Sequence, residues 1–173
     1  DMNRAMAELF AKVSGYNKAR GGSLHIFAPE VGMLGANGIV GAGIPIATGA
    51  AFAAKYRNDG RVSVAFFGDG ASSQGTFHEA LNIGATFGLP VVYVCENNLY
   101  GVSTKQTKVR KVVNIADRAS AYGMPGVIVD GNDVEAVQKA ALEAVQRARS
   151  GQGPTLIECK TYRHYTHFVG EPD

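Results

Sequence analysis

The chain has 173 residues, 46% of them hydrophobic and 18% charged, with 22 Gly, 6 Pro, 2 Cys and no Trp. This is the composition of one globular domain that buries its own core, and it excludes a disordered, collagenous or disulfide-stapled chain. Seventeen Lys and Arg against fifteen Asp and Glu leave a formal charge of +2, too balanced for a surface that binds by neutralising many nucleic-acid phosphates. Residues 33–54 are almost uncharged and long enough for a membrane span, but Gly35, Gly38, Gly41, Gly43 and Pro45 interrupt them. They read as a loop followed by a small-residue helix. Cys95 and Cys159 each lie in an apolar run and read as buried thiols in a reducing compartment.

Apolar spacing over residues 2–13 predicts a helix. Residues 14–43 hold eight glycines with no sustained period, the mark of a long ordered loop of functional origin. A helix is predicted over 45–56, with Ala47, Ala50, Ala51 and Ala54 at close-packing spacing, ended by Asn58-Asp59-Gly60. A core role and a subunit contact are both open to its alanine face. The pattern then alternates: strand at 62–67, helix at 74–87, strand at 91–95, a polar stretch, helix at 116–122, strand at 127–129, helix at 134–149 and strand at 155–162. Two short apolar runs joined by a helix make a parallel pair. The fold expected is α/β, an open and mainly parallel sheet flanked by helices, with ligands bound beyond the carboxyl ends of its strands.

Those ends carry the chemistry. The strand at 62–67 runs into Gly68-Asp69-Gly70-Ala71-Ser72-Ser73, and the strand at 91–95 runs into Glu96-Asn97-Asn98-Leu99-Tyr100-Gly101. Glycines at 68 and 70 admit close ligand approach, and amides near the start of the next helix suit an anion. Asp69 and Asn98 offer hard oxygen donors from neighbouring strand ends, the type that holds magnesium together with a backbone carbonyl, phosphate oxygens and water. Either turn alone is common. Together they are separated by the 26 residues from Ala71 to Glu96, enough for one loop, one crossover helix and one strand.

Gly-Asp-Gly followed at this distance by Asn-Asn resembles the thiamin diphosphate motif. The resemblance extends, in order, through Gly21-Gly22-Ser23-Leu24-His25, Asn37-Gly38-Ile39-Val40-Gly41, residues 68–75, residues 96–101 and Thr161-Tyr162-Arg163. It is to the alpha subunit of the first component of 2-oxo acid dehydrogenase complexes, the group of pyruvate, branched-chain and acetoin dehydrogenases. It implies a thiamin diphosphate-binding fold over residues 1–173, holding the pyrophosphate and magnesium half-site, in a piece of a longer subunit whose upstream Tyr-Arg pair has no counterpart here. It further implies Asp69, Asn98 and the Tyr100 carbonyl as ligands of Mg2+, with Gly70 and Ala71 against the pyrophosphate. Gly38 and Val40 would line the aminopyrimidine, Val102 would be the apolar wedge under the cofactor, and Arg163 would be a phosphate ligand whose planar donors grip its oxygens. His167 corresponds to the active-site loop histidine, expected to assist acyl transfer to a lipoyl-bearing acyltransferase.

The carboxylate that relays a proton to the aminopyrimidine is not found in this sequence. The resemblance places it on a beta subunit in an α2β2 heterotetramer, cytoplasmic in a bacterium or in the mitochondrial matrix of a eukaryote. Phe168 stands where kinase-regulated pyruvate enzymes carry a serine, and the run through Gly170-Glu171-Pro172 leans toward acetoin or pyruvate over branched-chain substrates. Two other readings of the same residues are a thiamin diphosphate enzyme of transketolase or decarboxylase type and a noncatalytic α/β interaction subunit. His164 and His167 have zinc-like spacing without a third ligand. His78 reads as a surface or packing residue, and His25 as either a structural or a near-substrate group. Lys105, Lys108, Arg110 and Lys111 read as a solvated loop, with closure over a cofactor as the sharper alternative.

Overall fold

A computed structural model describes residues 1–168 and Gly170; Val169 and the Glu171-Pro172 pair singled out above lie outside the described residues. Helix α1 spans Met2–Leu9, capped by the Asp1 side chain on the Asn3 amide, and stops four residues earlier than the apolar spacing suggests. Just past its end Ala11 takes a left-handed φ of 53°, and the buried Glu8 is committed to the loop beyond. The Glu8 carboxylate accepts from the backbone amides of Asn17 at 2.8 Å, Ala19 at 3.1 Å and Gly21 at 2.6 Å, folding that loop back on the helix. Three backbone donors around one carboxylate supply the order that this glycine-rich sequence lacks intrinsically.

The long segment that follows contains one 3-10 turn, Pro29–Val31, and leads into α2, Gly43–Arg57. Strand β1 is Ser63–Gly68, α3 is Gly75–Thr86 and β2 is Val91–Asn97. The polar stretch between β2 and residue 116, assigned no element above, carries three short ones. It folds into a two-stranded hairpin of β3, Tyr100–Gly101, and β4, Thr104–Lys105, followed by a short helix α4, Gln106–Val109. A 3-10 helix Ala116–Tyr122 leads to β5, Gly126–Asp130, then α5, Val134–Arg149, and β6, Thr155–Lys160. The last strand ends two residues before the apolar run predicts.

The four longer strands form one all-parallel sheet in the order β1-β2-β6-β5. β6 therefore inserts between β2 and β5, so the carboxyl ends of β1, β2 and β6 lie side by side. Central β2 is covered on both faces, as its unbroken apolar run requires. On one face α2, α3 and the 116–122 helix bury Ile44, Ala51, Phe77, Leu81, Tyr93 and Ile115. On the other, α5 lays Ala140 and Ala144 against Val92, Val94, Ile157 and Cys159. Each such large apolar side chain contributes about 1.5–3 kcal/mol on burial.

Tyr93 ties the first of these layers together. Its hydroxyl meets Thr48 Oγ1 of α2 at 2.8 Å and donates to the Ala80 carbonyl of α3 at 3.1 Å, and burial pushes its ionisation up to about 12. Both cysteines are free and buried, and burial raises both thiols, Cys95 strongly. No helix among the described residues is long and apolar enough to cross a membrane.

Candidate functional site

β1 ends at Gly68 in an extended conformation, and the chain turns at once into a 3-10 helix, Asp69–Ser73. Ser72 Oγ closes that turn on the Asp69 carbonyl at 2.8 Å. One strand over, β2 ends in two consecutive asparagine turns. Asn97 Oδ1 accepts from the Leu99 amide at 2.9 Å, and Asn98 Oδ1 accepts from the Tyr100 amide at 3.1 Å. Short amide side chains that capture the backbone two residues on reverse the chain tightly here, and Leu99 takes a left-handed φ of 72° between them. The two turns meet. A Cβ on Gly70 would lie 3.4 Å from Gly101 Cα, so glycines at both positions let the backbones touch.

Of the other sequence-predicted residues, Val102 and Arg163 meet at this junction, while Gly38, Val40 and His167 lie on separate segments. Val102 follows Gly101 at the tip of the β3–β4 hairpin, half exposed and at φ 54°, a conformation costly for a β-branched side chain. Arg163 donates from Nη1 to the Val102 carbonyl at 2.7 Å and lies over the Tyr100 ring at 5.4 Å. Gly41, at φ 85°, packs its backbone on Gln74 and Thr76, bringing the loop with Gly38 and Val40 to the start of α3. His25 sits beside Gly38, since a Cβ there would be 3.8 Å from His25 Cε1. His167 is exposed beyond β6, its ring 6.4 Å from that of Phe168. A cavity of about 510 Å³ opens beside Asn98 and Arg163, walled also by Phe66, Val94, Glu96 and Tyr162; Asp69, Gly70 and Ala71 do not line it.

Asp69 is sealed. Its side chain is 2% exposed and its Oδ2 accepts from Arg110 Nη2 at 2.9 Å, with the Arg110 side chain 4% exposed. Arg110 Nη1 donates to Ser72 Oγ at 2.9 Å, and Arg118 Nη1 donates to the Ser72 carbonyl at 2.7 Å. Burial pushes the Asp69 carboxyl up by more than the Arg110 charge pulls it down. Burial and the nearby Arg110 charge lower Arg118. Two arginines thus converge on the 69–73 turn, the first of them as a cation held against the carboxylate.

That arrangement corrects the reading of Arg110 as one of four solvated loop cations, because the short helix α4 turns it inward. Sequence reasoning also missed Arg118, Ser72 and Glu158. Glu158 alone carried a signal, a lone acid within the buried run of β6. His78 fulfils its packing expectation: Nδ1 is hydrogen-bonded to the Tyr122 hydroxyl and the ring stacks edge-on against Phe77.

Among the described residues no cluster of three His, Cys, Asp or Glu side chains is arranged to hold a metal. Asp69 and Asn98 stand at the ends of the adjacent strands β1 and β2, and with the Tyr100 main chain they offer a carboxylate, an amide oxygen and a carbonyl. This hard-oxygen set is of the kind magnesium takes when phosphate and water complete its shell. Arg110 already stands in for a positive charge at Asp69, so the chemistry of the donors fits a bound cation.

The comparisons with known proteins agree with this architecture. The alpha subunit of acetoin:2,6-dichlorophenolindophenol oxidoreductase from Bacillus subtilis (strain 168) is 57% identical over 171 residues, 99% of this chain and 51% of that protein. The chloroplastic alpha-3 subunit of the pyruvate dehydrogenase E1 component from Arabidopsis thaliana is 48% identical over 174 residues, 97% of this chain and 41% of that protein. The X-ray structure of a thiamin diphosphate-dependent enzyme from Mycobacterium smegmatis superposes with a TM-score of 0.57 at 25% identity, over 73% of this chain and 23% of that one. The chain spans about half the length of the curated relatives it matches. The family model described as dehydrogenase E1 component matches residues 2–173, and the chain belongs to that family.

Proposed function

We propose that this chain forms the magnesium and pyrophosphate half of a thiamin diphosphate site, in the alpha subunit of a dehydrogenase that decarboxylates a 2-oxo acid such as pyruvate or cleaves acetoin. The observation that carries the reading is the meeting of the Gly68-Asp69-Gly70 turn with the Asn97-Asn98 turn at adjacent strand ends, with Gly70 against Gly101. The names of the relatives, an acetoin-oxidising enzyme and a pyruvate dehydrogenase component, support the activity. Their identities favour acetoin or pyruvate over branched-chain substrates.

Thiamin diphosphate, when bound, supplies an electron sink for cleaving the bond next to a carbonyl. Asp69, Asn98 and the Tyr100 carbonyl would hold the magnesium, and the amides at Gly70 and Ala71 would serve the pyrophosphate. Arg163, which binds the Val102 carbonyl here, would serve as a phosphate ligand. Val102 would supply an apolar contact to the cofactor, while Gly38 and Val40 would offer main-chain groups to the aminopyrimidine. Glu8 and Glu158 are the buried glutamates among the described residues, and both are already bound to donors of this chain. As the resemblance to two-subunit enzymes of this family implies, the proton-relaying carboxylate would come from a beta subunit, with which the longer alpha subunit would assemble as an α2β2 heterotetramer. His167, on the exposed segment beyond β6, assists transfer of the acyl group to the lipoyl arm of an acyltransferase. The assembly acts in the cytoplasm of a bacterium or within an organelle of a eukaryote.

The test is calorimetric titration of thiamin diphosphate into the complete alpha subunit, with and without magnesium and the beta subunit, repeated for Asp69→Ala. Binding that needs magnesium, Asp69 and the partner is the expected result. Absence of magnesium-dependent binding with the partner present would overturn it. His167→Ala is expected to keep cofactor affinity and to lose lipoyl acylation; unchanged acylation removes that role.

A further inference from the structure

Glu158 is 0% exposed on β6, one strand away from the asparagine turns. Its carboxylate gathers three donors. Oε1 accepts from Asn97 Nδ2 at 2.6 Å and is ion-paired with Lys160 Nζ at 2.8 Å, and Oε2 accepts from the Ala116 amide at 2.8 Å. Two of these donors belong to segments that shape the candidate site. Asn97, also 0% exposed, uses its other side-chain atom, Oδ1, to bind the Leu99 amide and so bends the chain that presents Asn98 and Tyr100. Ala116 opens the 3-10 helix that aims Arg118 at the Ser72 carbonyl of the 69–73 turn.

We infer that Glu158 is a positioning residue for the metal site: one buried carboxylate orients the amide of Asn97, and through it the Asn98–Tyr100 turn, while anchoring the segment that carries Arg118. The inference deepens the proposed function and rests on it for the identity of the ion. The charge matters because every group around Glu158 is a donor. Asn97 must turn its NH2 toward Glu158, which leaves its Oδ1 for Leu99 and fixes the amide in one orientation. A glutamine at 158 would bring an NH2 of its own to one of the three donors. Asn97 would then flip or lose its partner, and Leu99 would lose its acceptor, so the turn bearing two of the three expected ligands would open.

Opening of the turn can be read without any cofactor. Lys105, at the end of β4, and Lys108, on α4, are exposed, and the Gln106 amide between them donates to the Leu99 carbonyl at 2.8 Å, so loosening Leu99 frees both lysines for tryptic cleavage. In the full alpha subunit, Glu158→Gln is expected to speed cleavage at Lys105 and Lys108 about tenfold. It is also expected to weaken magnesium-dependent binding of thiamin diphosphate, with the beta subunit present, about tenfold. The double variant Glu158→Gln with Asn97→Asp reverses the pair. The introduced glutamine donates its NH2 to the introduced aspartate and accepts from the Ala116 amide through its carbonyl, while the aspartate still accepts from the Leu99 amide. The double variant should return both readouts to within about threefold of the parent, a rescue that a purely space-filling role for Glu158 would not give.

Should Glu158→Gln fail to fold, Asn97→Asp keeps an acceptor for the Leu99 amide and removes only the donor to Glu158, and the same cleavage is expected. Parent-like cleavage in the single variants, or no rescue by the reversed pair, overturns the inference. If the parent protein binds no thiamin diphosphate, the proposed function fails, and the cleavage rates alone then decide the role of Glu158.

Discussion

Replacing Arg110 by glutamine tests the central electrostatic feature of this site. The guanidinium and the Asp69 carboxylate are 4% and 2% exposed and 2.9 Å apart, so the substitution leaves a desolvated carboxylate without its counter-charge. Two unit charges about 4 Å apart interact by about 4 kcal/mol at an effective dielectric of 20, and removing one partner of a buried pair costs about 3–5 kcal/mol. At about 2–4 °C per kcal/mol for a domain of this size, the metal-free variant should melt about 10 °C lower.

The pH dependence sharpens the test. The Asp69 carboxyl is already raised above its ordinary value by burial, and Arg110 is the main group holding it down. Without Arg110 it rises further. A carboxyl raised in the folded state binds its proton more readily there than in the unfolded chain, so it penalises folding at high pH and releases that penalty as pH falls. The gap between parent and Arg110→Gln should therefore be widest near pH 8 and narrow toward pH 5, measured by urea unfolding across that range. Magnesium with thiamin diphosphate should stabilise the variant more than the parent, since the ion restores the missing charge. A loss under about 1 kcal/mol that is flat with pH would refute the assignment of Arg110 as the resident cation at Asp69.

Gly84→Ala should destabilise the core by about 2 kcal/mol, because the new Cβ would stand 2.4 Å from the Tyr93 hydroxyl and displace it from Thr48 and Ala80; adding Tyr93→Phe should recover part of the loss in a thermal melt. Val102→Gly should raise metal-free stability by about 1 kcal/mol by removing the left-handed strain at φ 54°, while weakening thiamin diphosphate binding if the isopropyl group is the wedge; calorimetry and unfolding read the two effects separately. Burial acts to raise Glu8, but its backbone donors at Gly21, Asn17, Ala19 and Gly22 outweigh it and hold the carboxyl below its ordinary value. Its contribution is present above the ordinary carboxylate range and lost as pH falls through the depressed value. Hydrogen-exchange protection of the Asn17, Ala19 and Gly21 amides should fall in that acid window, and protection that persists to the lowest pH would argue against Glu8 as the anchor.

Local sequence determined the elements whose reason is local. Residues 134–149 carry an Asp133 cap, alanines every fourth residue and arginines at the end, and they form the helix at those bounds. The apolar runs at 62–67 and 91–95 form strands, the second buried and the first an edge strand with Val64 and Phe66 exposed, and the Gly-Asp-Gly and Asn-Asn turns stand at their carboxyl ends because glycine and asparagine favour turns for reasons of backbone geometry. Spacing and residue type therefore made the meeting of the two turns at adjacent strand ends legible in advance.

What the sequence could not determine depends on partners distant along the chain. Arg110 and its lysine neighbours are alike as letters, yet a four-residue helix buries Arg110 against a carboxylate 41 positions away while its neighbours face solvent. The same holds for Glu158, whose three donors come from β2, from the start of the 116–122 helix and from its own strand. Insertion of β6 beside β2 sets these meetings, through a strand order that hydrophobic periodicity does not encode. Charge in a sequence is a property of one residue; whether it is solvated, paired or spent on positioning a neighbour is decided by which elements the fold packs together, since the energy of a charge is set by what surrounds it.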